Sequence, residues 1–464
     1  MSKATLKSIP VQLGQVIDLK IESMAYDNSA IGRYKDFVIM VDRAAPGDEI
    51  KAEITSLRPN YARAKIVDLV RFDNLYRIEA ECKIFKVCGG CQWQHLDYKK
   101  QLEQKDLLLK SFFSKLELED GVLKNTIGMD DIWHYRNKVQ YPVRTVKDTG
   151  RLKAGYFEWH SRDLINVKFC PIQNDIFDSI IETVRDLAPK YRITAYDGAE
   201  KRGWLRHICL RSGRNIKGDL EVLLTLVVVT EEMKNADEFT REIMKKHPEV
   251  VGICLNKNTN TTNVIYGDKT KVLAGRGFLF ETLNGLIFKI SATSFFQVNS
   301  KQAEKMLNII DKYADLKGDE VVLDAYCGGG VIAISLAKNA KKVLGIEEIR
   351  QSIEDANYSA KQNKVTNFTF LNGKVENKIH DVLDEFNPDL VVLDPPRGGC
   401  NKKVIEDLLN FDVKKIIYTS CNPTTLARDL DLLSPKYKIK SIQPLDMFPH
   451  SYHVENVVLL ERID

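Results

Sequence analysis

Long apolar runs are absent from the sequence. No window of its 464 residues reaches the roughly eighteen consecutive apolar residues that a bilayer-spanning helix needs. The N-terminal stretch MSKATLKSIPVQLGQVID also has no apolar core of the kind found in secretion signals. Both absences argue against a membrane or secreted protein, and we expect a cytoplasmic protein with no membrane partner.

The sequence also lacks a large excess of either positive or negative charge. Lys and Arg number 68 against 64 Asp and Glu, which gives a formal net charge of +4. An anionic partner must therefore be met by local basic patches rather than by a global field. Cysteine is sparse, with nine residues. Because the cytosol keeps thiols reduced, clustered cysteines indicate a metal, and isolated ones indicate a core position or catalysis.

The apolar pattern predicts three domains. Residues 1–72 show short alternating apolar runs broken by turn signals such as Ala-Pro-Gly-Asp, which is typical of a small all-β barrel. Residues 73–288 mix strands such as DLEVLLTLVVVT with helical stretches such as ADEFTREIMKKH, which predicts a central α+β domain. Residues 289–464 alternate strand and helix regularly, which predicts an α/β fold with a doubly wound, largely parallel sheet.

A glycine-rich turn follows the first strand of this last region. In VVLDAYCGGG the glycines come directly after an apolar strand, and the next strand, in KVLGIEE, ends at Glu347. At such strand ends glycines let a ligand approach the backbone, and an acidic side chain accepts hydrogen bonds from ribose hydroxyls. Three consecutive glycines fit the dinucleotide pattern poorly. We therefore predict adenosine carrying a methionine sulfonium, with a ligand-free tight turn as the alternative.

A second strand ends in LDPPRGG. The two prolines stop the strand and fix the loop, which holds Asp394 at the ligand edge of the sheet. The alternative is a proline-terminated strand with a capping aspartate.

Cys421 lies in a turn within YTSCNPTTLARDL, between an apolar strand and a helix with proline in its first turn. A helix N-terminus stabilises a thiolate, so this is the setting of a nucleophile, although burial as a small apolar residue is the commoner fate of a lone cysteine. In MFPHSYHVE, His450, His453 and Glu455 come close together. Glu455 is either an edge residue of the following strand or a base at the rim of the site.

Four further cysteines suggest a metal centre. Cys82, Cys88 and Cys91 have the spacing C-x5-C-x2-C, and Cys170 follows far downstream with a proline after it. Four thiolates complete either a tetrahedral zinc site or a cubane cluster. Three close cysteines plus a distant, proline-followed one favour a four-iron, four-sulfur cluster over zinc. The remaining cysteines are interpreted as structural: Cys209, Cys254, Cys327 and Cys400.

Two segments, 133–151 and 201–218, mix basic residues with aromatics. The second carries six Lys or Arg and no acid from 201 to 217. This pattern predicts a surface that tracks phosphates through Arg206 and Arg211, with Trp204 stacking on a base. The solvated face of a hairpin is the alternative.

Six motifs, in order, resemble those of the RNA uracil-5 methyltransferase family: FFQVN, DAYCGGG, GIEE, LDPPRGG, SCNPTTLARDL and MFPHSYHVE. The resemblance extends over the whole chain. The N-terminal barrel resembles a TRAM domain of OB-like fold, and CKIFKVCGGCQWQHL resembles the iron-sulfur motif of the 23S ribosomal RNA branch. The family implies a Rossmann-like C-terminal domain dependent on S-adenosylmethionine, next to a central iron-sulfur domain.

The resemblance implies methylation of carbon 5 of specific uridines, unpaired or flipped out, in 23S ribosomal RNA by a monomer. The Cys421 thiolate adds to uracil carbon 6, carbon 5 takes the methyl group, and Glu455 removes the carbon 5 proton. His453 is the alternative base. Transfer RNA is the alternative substrate, and a non-catalytic iron-sulfur RNA-binding protein and a small-molecule methyltransferase are alternative functions.

The resemblance also assigns binding residues. The cofactor-binding positions match Gln297, Tyr326, Gly328, Glu347 and Asp394. The iron-sulfur ligands match Cys82, Cys88, Cys91 and Cys170.

Overall fold

The computed structural model describes residues 9–27, 29–73 and 75–463. The first eight residues of the predicted barrel domain and the last residue of the predicted C-terminal domain lie outside the described residues. The N-terminal strands are β1 (Val16–Met24), β2 (Ser29–Tyr34), β3 (Phe37–Asp42), β4 (Glu49–Leu57) and β5 (Tyr61–Arg71).

These strands close into a barrel of order β1-β2-β3-β5-β4. On β1, Ile17, Leu19 and Ile21 are buried and the residues between them are exposed. Successive side chains of a strand point to opposite faces, so this alternation places the apolar residues inside the barrel. The predicted all-β barrel is confirmed.

The middle of the chain forms a mixed sheet of order β11-β10-β9-β8-β6-β7. Its elements are α1 (Tyr98–Phe112), β6 (Lys138–Thr145), β7 (Leu152–Ala154), α2 (Ile176–Lys190), β8 (Leu205–Arg214), β9 (Leu220–Val228), α3 (Ala236–Lys246), β10 (Val250–Lys257) and β11 (Lys269–Gly275). The helices α2 and α3 pack their apolar faces, including Ile180 and Phe239, into the same core as β8 and β9.

The C-terminal part begins with a hairpin of β12 (Phe278–Leu283) and β13 (Leu286–Ser291). It continues through α4 (Ser300–Ala314), β14 (Val321–Ala325), α5 (Val331–Ala337), β15 (Lys342–Glu347), α6 (Arg350–Gln362), β16 (Phe368–Asn372), α7 (Val375–Phe386), β17 (Leu390–Leu393), α8 (Lys402–Asn410), β18 (Lys415–Ser420), α9 (Pro423–Leu433), β19 (Tyr437–Leu445) and β20 (Glu455–Arg462).

The C-terminal sheet has the order β16-β15-β14-β17-β18-β20-β19. Strands β14 to β18 are parallel, and β20 pairs antiparallel with both β18 and β19. Apolar cores cover both faces of the sheet, which is why its strands are almost continuously apolar. The predicted α/β, Rossmann-like fold is confirmed.

The segment from α1 to residue 127 packs against the C-terminal sheet, although its sequence position falls in the predicted range 73–288. Phe113 is buried in the core that lies on one face of this sheet. Leu123 and Ile127 form β-bridges to Ile442 and Leu445. The three domain ranges stay predictions, and this segment connects the second range to the third.

Among the described residues, no helix is both long and apolar enough to cross a bilayer. The cytoplasmic location and the monomeric state stay predictions.

Candidate active site

A cavity of about 550 Å³ lies at the carboxyl edge of the C-terminal sheet. The strands β14, β15, β17 and β18 are parallel neighbours, so the residues that follow them meet at this edge. Every residue predicted for catalysis or for cofactor binding lines the cavity: Gln297, Tyr326, Gly328, Glu347, Asp394, Cys421 and Glu455.

Cys421 and Glu455 are brought together by antiparallel pairing. β18 ends at Ser420, β20 begins at Glu455, and the last pair of their ladder joins Ser420 to Asn456. Cys421, the residue after β18, and Glu455, the first residue of β20, therefore both lie just beyond this last pair. Glu455 is buried, with 4% of its surface exposed, and Cys421 is half-buried.

The charge state of this pair is set by burial. Burial raises the pKa of Glu455 well above its ordinary value; Asp394 raises it further, and Arg397 opposes the shift. Burial and then the Glu455 carboxylate raise the pKa of Cys421 to about 11, again opposed by Arg397. Burial and the carboxylates thus act against the thiolate form of Cys421, opposite to the effect expected of the N-terminus of α9, and the role of Cys421 as nucleophile stays a prediction.

Glu347 is held in position by the glycine-rich turn. Its Oε2 accepts a hydrogen bond from the main-chain N–H of Gly328 at 3.0 Å, and its Oε1 accepts one from Ile349 at 2.7 Å. Each carboxylate oxygen has two acceptor positions, so each can accept a further bond from a ribose hydroxyl.

The glycines of this turn have different roles. Gly328 has φ +53° and Gly330 has φ +74°, both in the left-handed region. A Cβ at Gly330 would meet Phe370 at 2.8 Å and Ala356 at 2.9 Å, whereas one at Gly328 would meet no atom within 4 Å. Close packing requires the glycine at position 330, and the space above Gly328 is open for a ligand.

The other three predicted cofactor-binding residues each have a different structural setting. Tyr326 has φ +68°, in the left-handed region that non-glycine residues adopt uncommonly. The main-chain carbonyl of Gln297 accepts a hydrogen bond from Asn137 at 3.1 Å, which joins the FFQVN segment to the middle of the chain. Burial raises the pKa of Asp394 to about 6.

Asp324 stands in the DAYCGGG motif but received no role from the sequence, and it lies beneath the glycine-rich turn without lining the cavity. It is fully buried, and its Oδ2 accepts a bond from the N–H of Ala333 at 2.9 Å, while Oδ1 has no partner among the described residues. Burial and the neighbouring Asp394 raise its pKa well above the ordinary value. The position of Asp324 at the end of β14, the strand before the glycine-rich turn, is the sequence signal that could have drawn attention to it.

Aromatic residues line the cavity as well. Phe295 is 63% exposed and lines the cavity together with Phe448. An exposed aromatic on the same cavity as Cys421 offers a face on which a base can stack. Phe295 stands in FFQVN, in which only Gln297 was predicted to bind.

The predicted phosphate contact of Arg211 is wrong. Arg211 is 5% exposed, and its guanidinium donates to the carbonyl oxygen of Ser294 at 2.8 Å. Arg206 donates to the carbonyl oxygens of Asn258 and Asn260. The residues lie on β8, an inner strand of the middle sheet, so their charges stabilise neighbouring loops.

Another basic surface lies at the end of β6. Four exposed side chains, Arg144, Lys147, Lys153 and Arg162, line one cleft. Two of them come from the predicted basic segment 133–151. Strand β6 begins next to Asn137, which bonds Gln297, so at about 3.3 Å per residue Arg144 lies roughly 20–25 Å along the strand from Asn137.

The four predicted cluster cysteines line one small cavity, together with Phe85 and Tyr156. Cys88 and Cys170 are buried, and Cys82 and Cys91 are partly buried. Within the described part of the chain, no three His, Cys, Asp or Glu side chains are arranged to hold a metal ion. The structure thus brings four thiols around one cavity, and the cluster itself stays a prediction.

Family models match both ends of the chain. The model described as tRNA (Uracil-5-)-methyltransferase matches residues 242–463, and the TRAM domain model matches residues 10–67.

Relatives of similar length are RNA methyltransferases. A Bacillus cereus protein described as an uncharacterized RNA methyltransferase is 38% identical over 464 residues, covering 99% of this chain and 100% of the relative. A Clostridium tetani protein with the same description is 37% identical, covering 98% of each chain.

A solved structure is similar over nearly the whole fold. The Pyrococcus abyssi tRNA (uracil-54, C5)-methyltransferase in complex with S-adenosyl-L-homocysteine has a TM-score of 0.75 and 26% identity. The match covers 96% of this chain and 100% of that one.

Proposed function

The chain belongs to the RNA uracil-5 methyltransferase family, and from this premise we propose that it methylates carbon 5 of specific uridines in 23S ribosomal RNA. It carries a TRAM domain, and its family uses S-adenosylmethionine. The observation that carries the proposed mechanism is the placement of Cys421 and Glu455 at the same end of paired strands, on one cavity.

Carbon 5 of uracil is a weak nucleophile, and Cys421 activates it. Its deprotonated sulfur forms a bond to carbon 6, and the electrons of the carbon 5–carbon 6 double bond move into the enolate. The bound cofactor supplies the methyl group that carbon 5 takes. Glu455 then removes the carbon 5 proton, the double bond re-forms, and the sulfur leaves as a thiolate. A uracil inside a helix cannot reach these groups, so the target is flipped out or unpaired.

Burial suits Glu455 to this task. A carboxylate whose pKa is raised binds a proton more strongly than one in water, and general bases work best with a pKa near the operating pH. The raised pKa of Glu455 therefore supports its assignment as the base. His453 also lines the cavity, but burial lowers its pKa to about 4, which makes it the weaker base.

The residues of the cavity fit S-adenosylmethionine. Glu347 has acceptor positions left for ribose hydroxyls, and the open space above Gly328 admits the methionine end. The cavity volume of about 550 Å³ lies in the range typical of small-ligand sites. We assign Gln297, Tyr326 and Asp394 to the same ligand.

We propose a four-iron, four-sulfur cluster on Cys82, Cys88, Cys91 and Cys170. Its support is the convergence of thiols from distant segments on one cavity, and thiolates are the usual ligands of such clusters. Methylation requires no redox step, so we assign the cluster to the folding of this region or to RNA contact.

The next experiment must decide whether the substrate is ribosomal RNA or transfer RNA. The cysteine motif supports 23S ribosomal RNA, whereas the similar Pyrococcus abyssi protein is a transfer RNA methyltransferase. The deciding experiment maps 5-methyluridine in ribosomal and transfer RNA from a strain that lacks the gene, and again after complementation. If the modification is lost from 23S RNA in the deletion strain and returns on complementation, the proposal is supported. If this happens only in transfer RNA, transfer RNA is the substrate instead.

A further inference from the structure

Residues 446–454 connect β19 to Glu455, and we name this segment the base loop. At its centre His450 has φ +66°, in the left-handed region. Such a conformation persists only where surrounding structure holds it. The contacts that hold the base loop come largely from residues 92–135, outside the strands of the C-terminal sheet.

Lys105, on α1, makes the central contacts. Its ammonium group donates to the carbonyl oxygen of His453 at 2.8 Å and to that of Phe448 at 3.4 Å. It also forms an ion pair with Asp446, at 2.5 Å. One side chain thus ties the first residue of the base loop to a residue two positions before Glu455.

Neighbouring residues bind the middle of the base loop. The Tyr135 hydroxyl donates to the carbonyl oxygen of Pro449 at 3.1 Å. The main-chain N–H groups of Gln92 and Trp93 both donate to the carbonyl oxygen of His450 at 2.9 Å. The base loop is therefore fixed at several carbonyl oxygens by one region of the chain.

The Lys105–Asp446 pair is completely buried on both sides, and the Tyr98 hydroxyl donates to the second carboxylate oxygen of Asp446 at 2.9 Å. Burying two charges costs so much solvation that apolar residues of similar volume often stabilise a fold as well or better. What an ammonium group adds is directional hydrogen bonds to carbonyl oxygens. Lys105 places its bonds on carbonyl oxygens of the base loop, which indicates that they fix the geometry of that loop rather than raise the stability of the whole fold.

We propose that Lys105 is a positioning residue that holds the base loop so that Glu455 faces carbon 5 of the uracil. It acts through the main chain of His453 and Phe448 and does not touch the substrate. The proposal rests on the proposed function, in which Glu455 removes the carbon 5 proton. It places a determinant of proton removal on α1, 350 residues before the base in the sequence.

The test uses the full-length double variant Lys105→Met/Asp446→Asn, which removes both charges together and leaves neither unpaired. The assay uses radiolabelled S-adenosylmethionine and ribosomal RNA from the deletion strain, and it measures turnover, cofactor affinity and the fraction of enzyme held as methylated protein-RNA adduct. A displaced catalytic group costs on the order of 10²-fold. We expect turnover to fall by about that factor, the adduct fraction to rise, and cofactor affinity to change less than about twofold.

Two further variants separate positioning from stability. Tyr135→Phe removes one hydroxyl bond to the base loop without changing charge, and we expect a smaller rise of the adduct fraction. Arg276→Met/Glu221→Gln removes an ion pair of the middle sheet in which Glu221, on β9, is buried, and neither residue hydrogen-bonds to the base loop. The unfolding temperature of both double variants is measured alongside, and we expect the adduct fraction of this control to stay at the wild-type value whatever its stability.

The outcomes distinguish this proposal from the proposed function. If Glu455→Gln accumulates no adduct, the base assignment itself fails. If Glu455→Gln accumulates adduct while the Lys105 double variant and Tyr135→Phe do not, the positioning role is overturned and the base assignment stands. An adduct fraction that rises equally in the Arg276 double variant also overturns the positioning role, because the effect would then not depend on contacts to the base loop.

Discussion

The Tyr26 hydroxyl donates a hydrogen bond to the main-chain carbonyl oxygen of Cys421 at 3.4 Å. Tyr26 lies between β1 and β2 of the N-terminal barrel, and Cys421 lies at the end of β18. The ring of Tyr26 makes edge contacts with Phe112 on α1 and with Tyr452 of the base loop. The barrel thus reaches the turn that carries Cys421 and contacts the base loop, which precedes Glu455.

Tyr26→Phe removes this hydroxyl and keeps the ring packing. A single neutral hydrogen bond contributes about 0.5–1.5 kcal/mol, so we expect adduct formation in a single turnover to slow by about two- to tenfold. Cofactor affinity is expected to stay unchanged, because the cofactor-binding residues lie on other strands. An unchanged adduct rate together with weaker cofactor binding would contradict this role.

Cys421→Ala and Glu455→Gln are expected to be nearly inactive in turnover for opposite reasons. Without the thiol, carbon 5 is never activated, so neither methyl transfer nor adduct appears. Without the base, addition and methyl transfer proceed but the proton stays, and a methylated complex survives denaturing electrophoresis. Loss of a general base costs about 10²–10⁴-fold. Turnover by Cys421→Ala would refute the nucleophile, and adduct in His453→Ala but not in Glu455→Gln would pass the base role to His453.

The raised pKa values predict how the rate depends on pH. In the proposed mechanism Cys421 and Glu455 both act in their deprotonated forms, and both pKa values are raised, so we expect activity to be absent at low pH and to rise as pH increases toward about 11. The Glu455 carboxylate contributes to the raised pKa of Cys421. Glu455→Gln removes that charge, so we expect its pH profile for adduct formation to shift to lower pH. A shift to higher pH would show that the two groups do not interact as described.

Strand periodicity was sufficient to predict the fold class, because each parallel strand is followed by a helix of clear apolar period. It also predicts that Glu347, Asp394 and Cys421 lie at one edge, since parallel strands end on the same side of a sheet. The position of Glu455 depends on β20 running antiparallel to β18. Strand direction is a tertiary property, so the local pattern left Glu455 as either an edge residue or a base, and the family resemblance indicated the base.

Contacts between distant segments could not be predicted from local pattern. Tyr26 and Cys421 are 395 residues apart, and Lys105 and His453 are 348 apart. Arg211 shows the converse error: counting basic residues in 201–217 does not tell which of them face the interior, and β8 lies between β9 and β6 in the sheet. Charge composition predicts a phosphate-binding surface only where the charged side chains are exposed.

Anaerobically purified protein is expected to be brown and to contain iron and sulfide, because thiolate-to-iron charge transfer absorbs visible light. Cys170→Ser removes one ligand from a site that joins distant segments, so we expect loss of colour and of iron, with a lower unfolding temperature. Cys254→Ser is the matched control, since Cys254 is a buried cysteine outside the cluster cavity, and it is expected to keep its iron. Colourless protein with stoichiometric zinc would refute the cluster.

The basic cleft at the end of β6 is expected to bind phosphates of the RNA. Arg144→Ala and Lys147→Ala each remove an exposed cation, and each lost phosphate contact lowers the slope of log affinity against log salt by about 0.7–0.9. Lys312→Ala, on α4, removes an exposed cation elsewhere and serves as control, with no change in slope expected. Cofactor affinity is expected to stay the same in all three variants, because none of the three side chains lines the cavity that holds the predicted cofactor-binding residues. If the slope is unchanged in Arg144→Ala and Lys147→Ala, the RNA does not follow this cleft, and its phosphates must contact another surface, most simply the barrel.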